Sequence, residues 1–381
     1  MNNFTFQNPT KLIFGSGTIA KLTKEIPLDK KIMITFGSGS VKQNGVYEQV
    51  KEALKGHNAI EFWGIEPNPT VETLRKAVAI GKEQGIDFLL AVGGGSVLDG
   101  TKLISSAIPF NGDAWELVLN PLLIKYMIPL ASVLTLPATG SEMNRGAVIS
   151  NHAIHEKRAF YSSHPQFSIL DPLVTFSLPE YQVACGIADT FVHVVEQYLT
   201  TPGQSLLMDR WSESILQTLV EIAPKIKADP HNYDLMSQFM LCATMALNGF
   251  TAMGVTQDWA THMIGHEITA LHGLTHGHTL AIILPGTMSI MKNQKWDKIL
   301  QLGERVFKIL NGDEALRVEQ TIIETEQFFR SLGLETKLHE VGIGEETILK
   351  IKNRFLKEET VLGEAQNIDG NITEQILRQV L

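Results

Sequence analysis

Three short apolar runs constrain this chain more than any other feature, because each ends in a loop rich in glycine, serine or threonine. They are residues 31–36 before GSGS, residues 88–92 before GGGS, and residues 131–136 running into PATGSE. A further strand is read at 59–63, followed by the loop GIEPNPT (64–70). Between them the pattern is helical: Val41 to Leu54, a segment capped by Thr70 and running to about residue 84, and another from about Val97. Apolar strands that alternate with helices form a parallel sheet covered on both faces. The character changes at ILDPLVTFSLPEY (169–181), after which strand signals fade. Residues 185–380 read as successive helices, at 189–199, 205–226, 233–249, 257–271, 276–291, 296–310, 315–332 and two shorter ones. The expected organisation is an α/β domain over 1–178 and an all-helical domain over 179–381. A length of 381 residues suits two cores better than one.

Composition removes several classes. The formal net charge is −9 and no basic stripe stands out, which argues against nucleic acid as a partner. Cys185 and Cys242 form no CxxC, so neither a disulfide framework nor a thiolate metal site is expected, and a reduced cytoplasm fits. The N-terminus MNNFTFQNPT lacks the pattern of a secretory leader, and no apolar run reaches the roughly 18 residues that span a bilayer. A soluble intracellular protein without a membrane partner is expected.

The stretch AVGGGSVLDGTK (91–102) is a buried strand, then glycines, then a helix. Glycine lets backbone approach a ligand closely, and a helix start offers unpaired N–H groups to a phosphate. The spacing departs from GxGxxG, since Leu98 stands at the third glycine position. Alone, GGGS fits a tight strand-to-helix turn equally well. Its place at a strand's carboxyl end favours a ligand, because open α/β sheets bind ligands there. The first such loop reads FGSGSVK (36–42) and holds no carboxylate that would grip a ribose 2′-OH. Its small residues, the hydroxyls of Ser38 and Ser40, and Lys42 would tolerate a 2′-phosphate. An ordinary helix start is the alternative.

Histidines crowd WATHMIGHEITALHGLTHGHTLAIILP (259–285), at 262, 266, 272, 276 and 278. Asp189 and His193 stand four apart in GIADTFVHVVEQY (186–198), and so do His262 and His266; on a helix such pairs share a face. A buried Asp beside a buried His is costly unless both are engaged. A structural Asp–His hydrogen bond would satisfy the first pair. Asp189, His193, His262 and His276 can instead make one site whose oxygen and nitrogen donors suit Fe(II) or Zn(II). His266 would then be a proton-transfer group beside the site. His272 and His278 are expected at the surface or behind the ligands.

Taken together, GIEPNPT (64–70), GGGSVLDGTK (93–102), TLPATGSE (135–142), DTFVHVVEQY (189–198) and QDWATHMIGHEITALHGLTHG (257–277) give a chain that resembles the iron-containing (group III) alcohol dehydrogenase family over nearly its full length. Within it, the chain is most similar to bacterial NADPH-dependent aldehyde reductases and butanol dehydrogenases. The resemblance implies an N-terminal Rossmann-like dinucleotide-binding domain and a C-terminal helical metal-binding domain, in a dehydroquinate synthase-like architecture. It implies that Asp189, His193, His262 and His276 hold one divalent metal and that His266 is the additional histidine of the site. It assigns Gly94, Gly95 and Ser96 to the pyrophosphate and Asn68, Asp99, Thr135, Thr139 and Lys157 to the cofactor's lining. It assigns Gly37, Ser38, Gly39 and Ser40 to the 2′-phosphate of NADP(H). It also implies a homodimer.

The expected function is therefore NADP(H)-dependent, metal-assisted interconversion of small aldehydes and primary alcohols. An NAD-dependent dehydrogenase of the glycerol type and a lyase of the dehydroquinate synthase type share the architecture. The lyase acts on a phosphate-bearing substrate, and the segments 182–209 and 249–291 lack the converging lysines and arginines such a substrate needs. A non-enzymatic metal-storage protein would explain the ligands but not the GGGS loop.

Overall fold

A computed structural model describes residues 1–154 and 156–381. The chain forms two compact units, one of residues Gln7–Leu178 and one of Met1–Phe6 with Pro179–Leu381.

The first unit is built on six parallel strands: β1 (Lys11–Phe14), β2 (Lys31–Phe36), β3 (Asn58–Phe62), β4 (Phe88–Gly93), β5 (Leu130–Leu134) and β8 (Phe167–Leu170), in the order β1-β8-β5-β4-β2-β3. Every residue of β4 and β5 is buried, as is all of β2 after Lys31, which is why these strands read as unbroken apolar runs. Helices α1 (Leu22–Glu25), α2 (Val46–Ala53), α3 (Val71–Gln84), α4 (Gly95–Ala107) and α5 (Ala114–Leu119) accompany the sheet. Leu74, Leu98, Leu103 and Ile104 from α3 and α4 pack with Met33, Leu89 and Ala91 of the sheet in one apolar cluster. Thr70 caps α3, its side chain accepting the N–H of Thr73. The chain passes from β2 outward to β3, then returns across β2 to β4 and on to β5. The strand order thus reverses between β2 and β4, and the GSGS and GGGS loops leave the carboxyl ends of those two strands.

The second unit is helical: α6 (Glu180–Tyr198), α7 (Leu206–Ala228), α8 (Tyr233–Ala246), α9 (Ala260–His272), α10 (His276–Ile290), α11 (Trp296–Leu302), α12 (Glu314–Ser331), α13 (Glu345–Lys357) and α14 (Gly370–Gln379). Ile264 and Ile268 of α9, Ile282 and Ile283 of α10, and Ile376 and Leu377 of α14 share a core. No helix among the described residues is long and apolar enough to cross a membrane.

Several elements differ from the sequence reading. The helix expected over 41–54 is split: a 3-10 turn at Ser40–Lys42 precedes α2, and Gly45 at φ 76° separates them. The helix carrying Asp189 begins nine residues earlier, directly after Pro179. The helix expected over 296–310 ends at Leu302 and continues as a π turn, Gly303–Phe307. A Cβ at Gly303 would lie 2.0 Å from Thr321 Oγ1, so glycine is needed for α11 and α12 to pack. Strands β1 and β8 and the antiparallel hairpin of β6 (Gly146–Asn151) and β7 (Glu156–Tyr161) were not anticipated.

Candidate functional site

Three helices of the second unit converge on one cluster. Asp189 and His193 lie one turn apart on α6, His262 in the first turn of α9, and His276 at the start of α10. Donor atoms of Asp189, His262 and His276 all lie within 4.8 Å of one another. From Asp189 Oδ1 the distances are 3.5 Å to His193 Nδ1, 3.8 Å to His262 Nε2 and 3.9 Å to His276 Nε2. Ligands about 2.0–2.2 Å from one ion stand roughly 3–4 Å from each other, so the spacing of Asp189, His262 and His276 fits a single divalent cation, while His193 approaches Asp189 without belonging to that mutual group. The atoms Asp189 Oδ1, His193 Nδ1 and His262 Nε2 are buried and have no hydrogen-bond partner among the described residues. Buried polar atoms are seldom left so. The donor set and its unmatched atoms fit a metal.

Charge reinforces that fit. Burial alone would raise the Asp189 carboxyl, but the imidazoles of His193, His262 and His276 outweigh it and hold it well below the ordinary range. Burial pushes His193 down to about 4, against the pull of Asp189. Burial also opposes a proton on His262, yet Glu196 and Asp189 together carry it up to about 9. The cluster therefore attracts positive charge, which a proton or a cation can supply.

Glu196 is a participant that the sequence reading missed. It is buried on α6, accepts the backbone N–H groups of Thr261 (2.6 Å) and His262 (3.1 Å), and makes a short hydrogen bond with His262 Nδ1. Its signal was present: Asp189, His193 and Glu196 follow at four and three residues, one polar stripe on an otherwise apolar helix. His266 lies one turn beyond His262, nearly buried, with its ring centroid 4.9 Å from that of His276. His278 is not at the surface: it is buried, 3.1 Å from Tyr181 Oη through Nδ1 and 3.1 Å from the Glu335 carbonyl through Nε2. His272 is exposed, as expected, and bonds Thr347 Oγ1 at 2.9 Å.

In the first unit, β2, β4 and β5 are neighbours, so GSGS, GGGS and PATGSE emerge side by side at the carboxyl edge. Gly37, Ser38, Gly39 and Ser40 follow β2, and Gly37 O accepts the N–H of Gly64. Gly94 caps α4, while Gly95 and Ser96 form its first turn. A Cβ on Gly95 would fall 2.4 Å from Thr139 Oγ1, so glycine lets the second and third loops touch. Thr135 N–H bonds Gly93 O at 3.0 Å. Asn68 has φ 56°; its N–H donates to Ser96 Oγ (3.3 Å), and Lys157 Nζ donates to its Oδ1 (2.8 Å). Asn68, Ser96 and Lys157 are thus joined across three segments.

Asp99 faces inward. Its Oδ1 accepts the Ser141 hydroxyl (2.7 Å) and its Oδ2 the Val148 N–H (2.8 Å). Burial raises its carboxyl, with Lys102 and Ser141 opposing. Lys102, also missed from sequence, is fully buried; it donates to Ser141 Oγ, Asn144 Oδ1 and Gly146 O, and burial lowers it to about 8. The pair fastens α4 to the loop after β5. Lys42 does not reach out from its loop: its ammonium rests on the Trp63 ring, 3.9 Å from the centroid.

Known proteins match this arrangement along the whole chain. Residues 9–172 match the model of the iron-containing alcohol dehydrogenase family, and residues 183–381 match that of its C-terminal region. The NADPH-dependent aldehyde reductase YqhD of Escherichia coli is 49% identical over 99% of both chains. A probable NADH-dependent butanol dehydrogenase of Bacillus subtilis is 41% identical over 100% of both. Among solved structures, the substrate- and cofactor-free form of E. coli YqhD superposes with a TM-score of 0.94 at 46% identity, covering 100% of both chains. The NADH-dependent butanol dehydrogenase A of Thermotoga maritima does so with 0.94 at 32% identity, covering 100% of this chain and 99% of that one. The chain belongs to the iron-containing alcohol dehydrogenase family.

Proposed function

We propose that this protein is a metal-dependent NADP(H) oxidoreductase that interconverts small aldehydes and primary alcohols. The observation that carries this reading is the close grouping of Asp189, His262 and His276, with Asp189 Oδ1 and His262 Nε2 buried and unmatched, in a chain about half identical to an aldehyde reductase. When bound by Asp189, His193, His262 and His276, Fe(II) or Zn(II) supplies Lewis acidity toward a carbonyl oxygen, and NADPH supplies the hydride. The glycines of GGGS let backbone N–H groups at the start of α4 approach a pyrophosphate. Asn68, Ser96 and Lys157 present a linked polar edge to the same cofactor. The segments 182–209 and 249–291, which surround the cluster in sequence, contain no lysine or arginine, which favours a small uncharged substrate over a phosphorylated one. The reading includes a homodimer, carried by family membership.

His266 supplies a proton to the nascent alcohol oxygen in the reductive direction, directly or through water. His266→Ala is expected to lower turnover by about 10²–10⁴-fold, the usual range for general acid–base groups, while metal content stays native. Metal loss equal to that of His262→Ala would make His266 a ligand and reassign the site.

NADPH is expected to be preferred over NADH. Residues 36–41 hold no carboxylate, and the amides of Gly37 and Gly39 with the hydroxyls of Ser38 and Ser40 suit a 2′-phosphate. Each charge-assisted hydrogen bond there contributes ~1.5–3 kcal/mol, on the order of tenfold or more in affinity. Gly37 is the position to test. A Cβ there would meet Ile65 O at 3.4 Å and Val97 Cγ2 at 3.6 Å, ordinary contacts, whereas Gly39 at φ 118° would be strained by any side chain. Gly37→Asp should erase or reverse the preference by repelling the phosphate. The measurement is kcat/KM for both cofactors with butanal; a native enzyme that uses NADH equally well or better would overturn this cofactor reading.

A further inference from the structure

We propose that Glu196 is a positioning residue that fixes which nitrogen of His262 is available to a metal. This rests on the metal reading of the cluster. The two oxygens of Glu196 face three groups: Oε1 meets the Thr261 N–H, and Oε2 meets both the His262 N–H and His262 Nδ1. Two of these are backbone N–H groups, which can only donate, and a carboxylate offers only acceptors. His262 Nδ1 therefore carries a proton, and when the ring is neutral, as a metal ligand must be, its lone pair lies on Nε2. That is the atom with no hydrogen-bond partner, 3.8 Å from Asp189 Oδ1.

The carboxylate is itself held in place. Glu196 stands on α6 with Asp189 and His193, so one helix carries two donors and the group that orients a third. Its backbone carbonyl accepts the Asp258 N–H at 2.9 Å, and the Asp258 carboxylate pairs with buried Lys295 at 2.8 Å. Trp259, between Asp258 and the start of α9, has φ 65°, a conformation a bulky residue adopts only when its surroundings impose it. The turn entering α9 is thus fastened to α6 on both sides of Trp259, by Asp258 and by the Thr261 and His262 amides.

An amide at this position no longer fixes the outcome. In Glu196→Gln, the oxygen keeps one backbone N–H, and the NH₂ group is brought to the other side. Facing His262, that NH₂ favours the ring with Nδ1 as acceptor and the proton on Nε2, which cannot bind a cation. Outer carboxylates of this kind are worth about 10–100-fold in metal affinity.

The test is Zn(II) titration of the full metal-free chain against a competing chelator, with Glu196→Gln beside the native protein, and thermal unfolding of both without metal. The expected result is a Kd for Zn(II) weakened about 10–100-fold in Glu196→Gln. Histidine ¹⁵N spectra of the metal-free proteins, recorded above the His262 pKa of about 9 so that the ring is neutral, should show its proton moving from Nδ1 to Nε2. A merely structural role would lower the melting temperature and leave both the Kd and the tautomer native, and that result overturns the proposal. Failure of the native chain to bind Zn(II) would instead refute the metal reading on which it rests. If Glu196→Gln does not fold, Glu196→Asp draws the carboxylate back by about 1.5 Å, one carbon–carbon bond. It should weaken Zn(II) binding as well, and a native Kd in that variant overturns the proposal.

Discussion

Asp189→Ala is expected to give a folded protein that retains no divalent metal after dialysis and reduces butanal ~10³-fold or more slowly than the native chain. Asp189 Oδ1 is the centre of the cluster, within 3.5–3.9 Å of a ring nitrogen from each of the other three candidate ligands. Removing it takes away the one carboxylate of the donor set. Lewis-acid assistance is worth several kcal/mol, and each 1.36 kcal/mol is tenfold in rate, which gives the ~10³. The fold should survive, because Phe191, Val192, Val194 and Val195 are all buried and hold α6 without Asp189. Stripping the native protein with a strong chelator should reproduce the loss, and Fe(II) or Zn(II) should restore activity. Full activity in a verified metal-free preparation would falsify the metal reading of this cluster.

What could be read from sequence divides along physical lines. The central strands β2, β4 and β5 are buried on both faces and flanked by turn residues, so each announces itself as a continuous apolar run. The edge strand β1 has four residues, two of them exposed, and β8 also has four; neither is long enough to show a period. Strand β7 alternates poorly, with charged Glu156, Lys157 and Arg158 in its first half, and among the described residues it pairs only with β6. Their assignment depends on partners distant in sequence, which a local pattern does not contain.

The candidate site divides in the same way. Asp189 with His193, and His262 with His266, were legible because helix geometry turns a spacing of four into a shared face. That α9 and α10 meet α6 followed from donor chemistry and the family resemblance and not from spacing, since α9 and α10 lie some 60 residues or more beyond α6 and only packing brings them to it. Glu196 lay on the same visible stripe as Asp189 and His193, but its partner is His262, so its role emerges only once α9 is in place. Lys42 was placed by its neighbours in sequence, beside the GSGS loop; its long side chain lies on Trp63, itself stacked on Phe36 at 4.1 Å, a contact that no local pattern contains.

Gly277→Ala should disable the enzyme as thoroughly as loss of a ligand, although Gly277 is none of the candidate ligands. A Cβ there would lie 2.1 Å from the backbone oxygen of Cys185, 2.8 Å from its carbonyl carbon and 3.1 Å from its Cα. These are backbone atoms of α6 and cannot turn aside as a flexible side chain would. Relieving the overlap requires α10 to retreat from α6 by on the order of 1 Å, at ~1–3 kcal/mol of stability for an overpacked contact. Cys185 is one turn before Asp189 on α6, and His276 is the residue before Gly277. The displacement is therefore applied directly to the 3.9 Å spacing of His276 Nε2 and Asp189 Oδ1. Metal–ligand distances tolerate only about ±0.2 Å, so a shift of that size should separate His276 from a shared ion. The expected result is a cooperative, slightly less stable fold with metal affinity lowered at least ~100-fold, and aldehyde reduction lost with it. Gly344→Ala is the control, because a Cβ at Gly344 would meet nothing within 4 Å. Native metal content and activity in Gly277→Ala would mean that α6 and α10 can separate without disturbing the site, and that their close approach at Gly277 serves packing alone.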